Sequence, residues 1–216
     1  MVVQFMGKYR ENIANDIKKC YPLINKGEYF MLIEYKVKNF MSFKNEIVLS
    51  MVADKNRELS DTNLFKCENM TLLKSAAIFG ANASGKSNLI ESFWFFNNLF
   101  MENADIKKML ADLPYFKLDT ESQNKPISYE ISFFLNNKRH RYGIEIDSKG
   151  ISSEWLYFVP RRQEACYFER ERNEIVRTGM YFEDKKALDY IRPDTTRPFL
   201  FTLAQDSIKE FVWAKE

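Results

Sequence analysis

The feature that most constrains this chain is an eight-residue run, Gly80-Ala81-Asn82-Ala83-Ser84-Gly85-Lys86-Ser87, which fits the pattern G-x-x-x-x-G-K-[ST]. With the residue frequencies of this chain, roughly 0.002 chance matches to the pattern are expected. An apolar run over residues 72–79 precedes it and predicts a buried central strand. Apolar residues at helical spacing follow it, and the helix face that they predict is core. This order of strand, turn and helix is the context that a phosphate-binding loop requires.

Each residue type in the run has a physical role in holding a nucleotide polyphosphate. Backbone N–H groups of the loop form a nest for phosphate oxygens, and the two glycines permit the backbone angles that the nest needs. Lys86 brings a flexible positive charge to the β- and γ-phosphates, and the Ser87 hydroxyl is the predicted Mg²⁺ ligand. The predicted nucleotide-binding residues are Gly80, Ala81, Asn82, Ala83, Ser84, Gly85, Lys86, Ser87 and Asn88.

Composition argues against several other classes of protein. The chain has 216 residues, is 45% hydrophobic and carries a net charge of +2, so neither disorder nor a nucleic-acid partner is indicated by composition. Three well-separated cysteines and a single histidine argue against a disulfide framework and a zinc site. No apolar run approaches the roughly 20 residues of a membrane span. We therefore expect a soluble, reduced, cytoplasmic protein with no membrane partner.

The rest of the chain divides by the period of its apolar residues. Residues 1–30 are an N-terminal extension with a weak helical pattern through Tyr9, Ile13 and Ile17. Because residue 31 is a methionine, one hypothesis is that translation begins there. The expected elements after Met31 are two strands, the loop with its helix, a helix over 105–113, an antiparallel meander of about four strands over 128–171, a short helix near 184–191, a strand over 199–203 and a terminal helix from about Asp206.

The sequence motifs around the loop resemble those of ABC-type ATPases in the SMC, RecF and OLD group. Asn39-Phe40-Met41-Ser42-Phe43 resembles their opening N-F-x-S-F, and the loop with Asn88 is most similar to AAA-family ATP-binding proteins of the AAA_15/AAA_21 kind. Tyr142-Gly143 and Glu154-Trp155-Leu156-Tyr157 look like that group's meander. The resemblance covers about residues 31–213. One departure is Ala83, where many ABC members carry glycine, so a positive φ there would be unfavourable.

The resemblance implies an α/β P-loop fold of ABC-ATPase type, with a mixed central sheet and an antiparallel subdomain. It implies ATP and Mg²⁺ as ligands, ATP hydrolysis, self-association through ATPase heads, and an effector nuclease or toxin, in phage defence or DNA-associated processes. Asn39 and Phe40 would lie beside the nucleotide, or else form a strand-end turn with a buried aromatic ring. Gln205 would sense Mg²⁺ and the attacking water, or else be a polar residue at a helix start.

Elements that hydrolysis needs are missing from the sequence. No apolar strand ends in Asp-Glu, no Leu-Ser-x-Gly signature occurs, and His140 lies in the meander rather than at a switch position. We expect the chain to be the N-terminal part of a longer ATPase domain. The alternative is a nucleotide-binding fragment without turnover.

Two weaker readings concern the basic residues. One alternative function is a small-molecule kinase with an arginine-rich lid, which would be formed by Arg161, Arg162, Arg192 and Arg197. The Asn-Lys-x-Asp motif of GTPases is absent from the sequence. The basic cluster over residues 138–141 favours a solvated hairpin over a nucleic-acid contact.

Overall fold

The computed structural model describes residues 2–3, 30–54, 60–67, 69–102, 105–135, 137–206, 211 and 214. The expected helix through Tyr9, Ile13 and Ile17 lies outside these ranges, as does Cys20, and most of the expected terminal helix does too. No helix within these ranges combines the length and the apolar character needed to cross a membrane.

A seven-stranded antiparallel sheet is the frame of the described part. Its strands are β2 Met31–Lys38, β3 Ile47–Ser50, β7 Ile127–Leu135, β8 Lys138–Asp147, β9 Gly150–Phe158, β10 Ala165–Glu171 and β11 Glu174–Thr178. They are ordered β11-β10-β9-β8-β7-β2-β3. Alternating apolar residues face one side of this sheet, as a period of two requires. The meander has five strands over residues 127–178, one more than the sequence predicts.

The strand expected before the loop is not the buried central strand that the sequence predicts. The stretch is divided between β5, Met70–Leu73, which pairs with β4, Leu64–Cys67, and the short β6, Ala76–Ala77, which pairs with β1, Val2–Val3. Phe79 is 77% exposed. All strand pairings in the described ranges are antiparallel, so the mixed sheet that we expected is not found there.

A side chain distant in sequence explains the break in that strand. Asn63 Oδ1 accepts hydrogen bonds from the Ser75 backbone N–H, at 3.0 Å, and from the Ser75 hydroxyl, at 2.7 Å. The Lys74 N–H donates to the Asn63 carbonyl. These bonds fix residues 74–75 in a bend, because their backbone groups are then occupied outside any sheet.

Four α-helices and two short 3₁₀ helices complete the described part. The α-helices are α1 Ser60–Asn63, α2 Lys86–Asn98, α3 Ile106–Ala111 and α4 Phe199–Gln205, and the 3₁₀ helices are Ser122–Asn124 and Lys185–Asp189. The helix predicted over 105–113 is confirmed: Asp105 caps α3 by accepting from the Lys108 N–H. The strand predicted over 199–203 is wrong, because those residues form α4.

A buried carboxylate holds the start of α4. Glu154 accepts hydrogen bonds from the backbone N–H groups of Phe199, at 2.7 Å, and Leu200, at 2.9 Å, so it caps the helix. It also accepts from the Tyr142 hydroxyl and from Arg170 Nε, and both charged side chains are fully buried. Arg170 donates further to the carbonyls of Arg172, Asp194 and Arg197. We call Glu154 and Arg170, with these partners, the buried ion pair.

Helix α2 packs on the sheet through aromatic rings. Phe93 stacks on Tyr35 with ring centroids 3.7 Å apart, Phe96 meets Tyr129 at 5.5 Å, and Phe100 meets Tyr142 at 5.7 Å. Contacts of this kind each contribute about 0.5–1.5 kcal/mol beyond the burial of their area. The prediction that this face of the helix is core is confirmed for these rings, whose contacts fix how α2 lies across β2, β7 and β8, whereas Ile90 is 39% exposed.

Candidate functional site

The predicted phosphate-binding loop lies between β6 and the first residue of α2. Gly85 occupies the N-cap position with φ 91°, and Ala83 has φ 61°. Residues of positive φ are one part of the backbone nests that bind anions. Residues 80–84 are exposed, so the loop is open to solvent at the start of a 13-residue helix.

The Lys86 side chain folds back over the loop. Its Nζ donates to the carbonyl oxygens of Gly80, at 2.9 Å, and Ala81, at 2.6 Å, and to Ser84 Oγ at 3.3 Å. All three acceptors are uncharged, and no ion pair found in the described ranges includes Lys86. The ammonium group is therefore held at the opening of the loop by weak acceptors that an anion can replace.

The structure requires glycine more strictly at Gly85 than at Gly80. A Cβ at Gly80 would lie 2.8 Å from Ser84 Oγ, and rotation of the Ser84 side chain would relieve this contact. A Cβ at Gly85 would lie 2.8 Å from the Phe43 ring and would also have to adopt a positive φ. The residues present fit a bound phosphate chain, and the exposed Ser87, in the first turn of α2, is placed to ligate a cation beside it.

A chain of hydrogen bonds fixes the first turns of α2 to the sheet. The Tyr35 hydroxyl donates to Ser92 Oγ at 3.0 Å, and Ser92 Oγ donates to the Leu89 carbonyl at 2.6 Å. Burial raises the pKa of Tyr35 above its ordinary value, so the hydroxyl stays protonated and continues to donate. Helix α2, which begins directly after the loop, is therefore held in a fixed position on β2.

Asn39 and Phe40, expected beside the nucleotide or in a structural turn, have structural contacts. The buried Asn39 amide donates to the carbonyls of Ser122, Lys125 and Pro126, at 2.8, 2.9 and 3.2 Å. Phe40 is buried between Phe95 and Tyr129.

The loop is instead contacted by the next part of the same motif. Asn88 Nδ2 donates to Ser42 Oγ at 2.7 Å, and Phe43 packs against Gly85. Sequence reasoning missed these two residues, although Ser42 and Phe43 belong to the N-F-x-S-F run that it quoted.

Gln205 is the last residue of α4 and is half-buried. The first residue of α4, Phe199, meets Phe168 of β10 edge-on at 5.2 Å. Helix α2 packs on β2, β7 and β8 through its aromatic rings. The role of Gln205 in sensing Mg²⁺ stays a prediction.

Two members of the basic cluster at residues 138–141 are occupied within the fold. Arg141 donates to both oxygens of Glu164 and to Glu130 Oε2, and its guanidinium lies 4.5 Å from the centre of the Tyr157 ring. His140 is buried, stacked on Phe133, and burial lowers its pKa to about 4. Lys138 and Arg139 are the two exposed members.

A glycine-rich loop with a lysine at the start of a helix, set on an α/β frame, is typical of P-loop domains, which bind nucleotides. A family model described as "AAA domain, putative AbiEii toxin, Type IV TA system" matches residues 75–209. The match includes the loop, α2 and the meander, and it covers more than half of the chain, which therefore belongs to this AAA_21 family. No curated protein matches the chain.

Proposed function

We propose that this chain binds ATP with Mg²⁺ at residues 80–88 and that its domain works as an ABC-type ATPase head. Membership of an AAA family supports nucleotide binding and ATPase activity in general. The observation that carries the specific proposal is the position of Lys86, held by the carbonyls of Gly80 and Ala81 above a loop with two left-handed residues. Phosphate oxygens are charged and would therefore be stronger acceptors for the Lys86 ammonium group than the carbonyl oxygens that it contacts.

The residues of the loop divide the work of binding. The N-terminus of α2 attracts phosphate oxygens, because the first N–H groups of a helix lack intrahelical acceptors and lie at its positive dipole end. In the loop, the Ser84 N–H donates to the Ala81 carbonyl at 3.3 Å and would exchange that acceptor for a phosphate oxygen. Lys86 exchanges its carbonyl acceptors for charged oxygens, which are better acceptors. Ser87 would hold Mg²⁺, and this ion supplies neutralising charge to the phosphate chain.

The wider role that we propose follows from the family. Its description names a toxin and a type IV toxin–antitoxin system, and those words concern the family. For this chain we propose cytoplasmic ATPase heads that associate with a second copy around ATP and drive an effector nuclease or toxin, in phage defence or at DNA. Gln205 is the candidate for orienting the attacking water.

A second candidate function is nucleotide binding without turnover. It is favoured by the different attachments of the two predicted site elements: Lys86 is the first residue of α2, after the loop, whereas Gln205 ends a helix whose N-terminus is bonded to Glu154. A domain arranged in this way can bind ATP without a side chain that activates water for hydrolysis.

The test is a titration of the purified chain with ATP and Mg²⁺, followed by calorimetry, beside a measurement of phosphate release. We expect binding in the wild type and a loss of about 10–100-fold in affinity in Lys86→Ala, because one charge-assisted hydrogen bond contributes about 1.5–3 kcal/mol. We expect no phosphate release above background, because the sequence has no apolar strand that ends in Asp-Glu. Steady turnover would exclude the second candidate.

Lys74→Ala is the matched control. Lys74 is exposed and, like Lys86, donates to a backbone carbonyl, that of Thr62 at 3.1 Å, but it lies outside the loop. Its substitution should leave affinity unchanged. Equal affinity in the wild type and Lys86→Ala would refute the site, and equal losses in both lysine variants would reduce it to a general effect of charge.

A further inference from the structure

The turn after β2, residues 39–43, is unusually constrained. The backbone N–H groups of Phe40 and Phe43 each donate to the other residue's carbonyl, at 2.9 and 2.7 Å. Asn39 and Met41 both have positive φ, 58° and 48°. A left-handed methionine is unfavourable by about 1 kcal/mol or more, so the surrounding contacts must hold this shape.

Those contacts come from the segment between α3 and β7. The Met41 N–H donates to the Pro114 carbonyl at 2.7 Å. The Asn39 side chain bonds three carbonyls of residues 122–126 and accepts from the Phe116 N–H at 3.3 Å. The turn is therefore fixed to the body of the protein on one side before it reaches the loop on the other.

On its second side the turn touches the loop at two points. Ser42 Oγ accepts from Asn88 Nδ2 at 2.7 Å, which ties the first turn of α2 to it. The Phe43 ring occupies the space beside the left-handed Gly85, as close to that residue as its lack of a side chain allows. Gly85 is the residue at which the loop changes into the helix, so any rotation there would reorient the loop's N–H groups.

We infer that residues 42–43 are a positioning element for the phosphate-binding loop, with Ser42 and Asn88 as the hydrogen-bonded pair and Phe43 as the packing contact. This inference rests on the proposed nucleotide site and adds a structural condition for its affinity. Ser42 and Phe43 hold Gly85 and the start of α2 in the shape that accepts phosphate. The order that a bound nucleotide would otherwise impose on the loop is already present.

The experiment compares nucleotide affinity and stability in Ser42→Ala, Asn88→Ala and the double variant. We expect each single variant to bind ATP with Mg²⁺ about 3–10-fold more weakly, and the double variant to be no weaker than the worse single one, because both remove the same bond. Ser42→Thr keeps the hydroxyl and should retain most of the affinity. The unfolding midpoint should change little, since the bond is exposed.

Asn98→Ala is the control at the other end of the same helix. Asn98 also donates one hydrogen bond of 2.7 Å, to the Trp94 carbonyl, so its loss tests the helix without the turn. Unchanged affinity in Ser42→Ala, beside a wild type that binds, would overturn the positioning role and leave the site intact. Additive losses in the double variant would also overturn it. Absence of binding in the wild type would overturn the proposed function and this inference together.

Discussion

The buried ion pair and the phosphate-binding loop each hold a positively charged side chain, but the two side chains differ in burial and in the charge of their partners. Arg170 is fully buried, and it meets the Glu154 carboxylate at 2.8 Å and three carbonyls besides. Lys86 lies over an exposed loop and bonds only uncharged acceptors among the contacts described for it. The first cation has a carboxylate and three carbonyls as partners inside the protein, whereas we propose that the second meets its charged partner from solution.

The largest expected effect comes from breaking the buried ion pair. Arg170→Met leaves Glu154 buried without its cation, and we expect a loss of about 3–5 kcal/mol in the free energy of unfolding, measured with urea. The double variant Glu154→Gln, Arg170→Met should recover part of that loss. ATP affinity of the folded protein should stay near wild type. If Arg170→Met also weakened ATP binding, the ion pair and the loop would be energetically coupled, and the two regions would not be independent.

A smaller effect should follow from the protonation of His140. Its pKa is lowered to about 4 by burial, against about 6.5 in an unfolded chain, so the unfolded state takes up the proton first as pH falls. Stability is then full above about pH 7.5 and declines towards pH 4, by about 2 kcal/mol between pH 7 and 5. His140 is the single histidine of the chain, and ordinary carboxyl groups titrate lower, near pH 4.

Urea unfolding at pH 7 and pH 5 measures this decline. His140→Phe should remove most of it while keeping the stack on Phe133. The same decline in the phenylalanine variant would assign it to other groups.

The smallest expected effect is in the loop itself. Ala83 has φ 61°, so the unfavourable conformation that its sequence suggested is present, and Ala83→Gly should relieve it. Because glycine also gains freedom in the unfolded chain, we expect a net change within about 1 kcal/mol. ATP affinity, followed by calorimetry, should be retained within about threefold.

Gly85→Ala provides the contrast. A Cβ there would meet the Phe43 ring at 2.8 Å and need a positive φ, so this variant should lose both stability and affinity. If Gly85→Ala kept stability and affinity as Ala83→Gly is expected to, nucleotide binding would not depend on the positive φ at Gly85. The contrast between the loop and the buried ion pair would then be weaker.

Sequence predicted best those features that depend on neighbours within a few residues. The loop pattern, the apolar face of α2 and the capped helix α3 are of this kind, since spacing and local chemistry decide them. The α/β P-loop character and the AAA_21 family likewise follow from a short, specific pattern. Strand number in the meander was nearly right because alternation and turn residues mark each strand.

Features decided by distant partners were predicted poorly. The stretch 72–79 is apolar enough for a buried strand, but Asn63 takes up the backbone and side chain of Ser75. Residues 199–203 are as apolar as a strand, yet Glu154, 45 positions earlier than Phe199, caps them as a helix. Ser42 reaches Asn88 across 46 positions. No spacing in the sequence indicates any of these three contacts.

The exposed indole of Trp94 gives the protein an optical probe of its own loop. Trp94 is 62% exposed on α2 and lies eight residues, or about 12 Å along the helix axis, from Lys86. Trp155 is half-buried, with its ring against Gly143 in the meander. Iodide in the solvent therefore reaches the first of these two fluorophores more readily than the second. Emission from Trp94 can report on the nucleotide end of the molecule without any added dye.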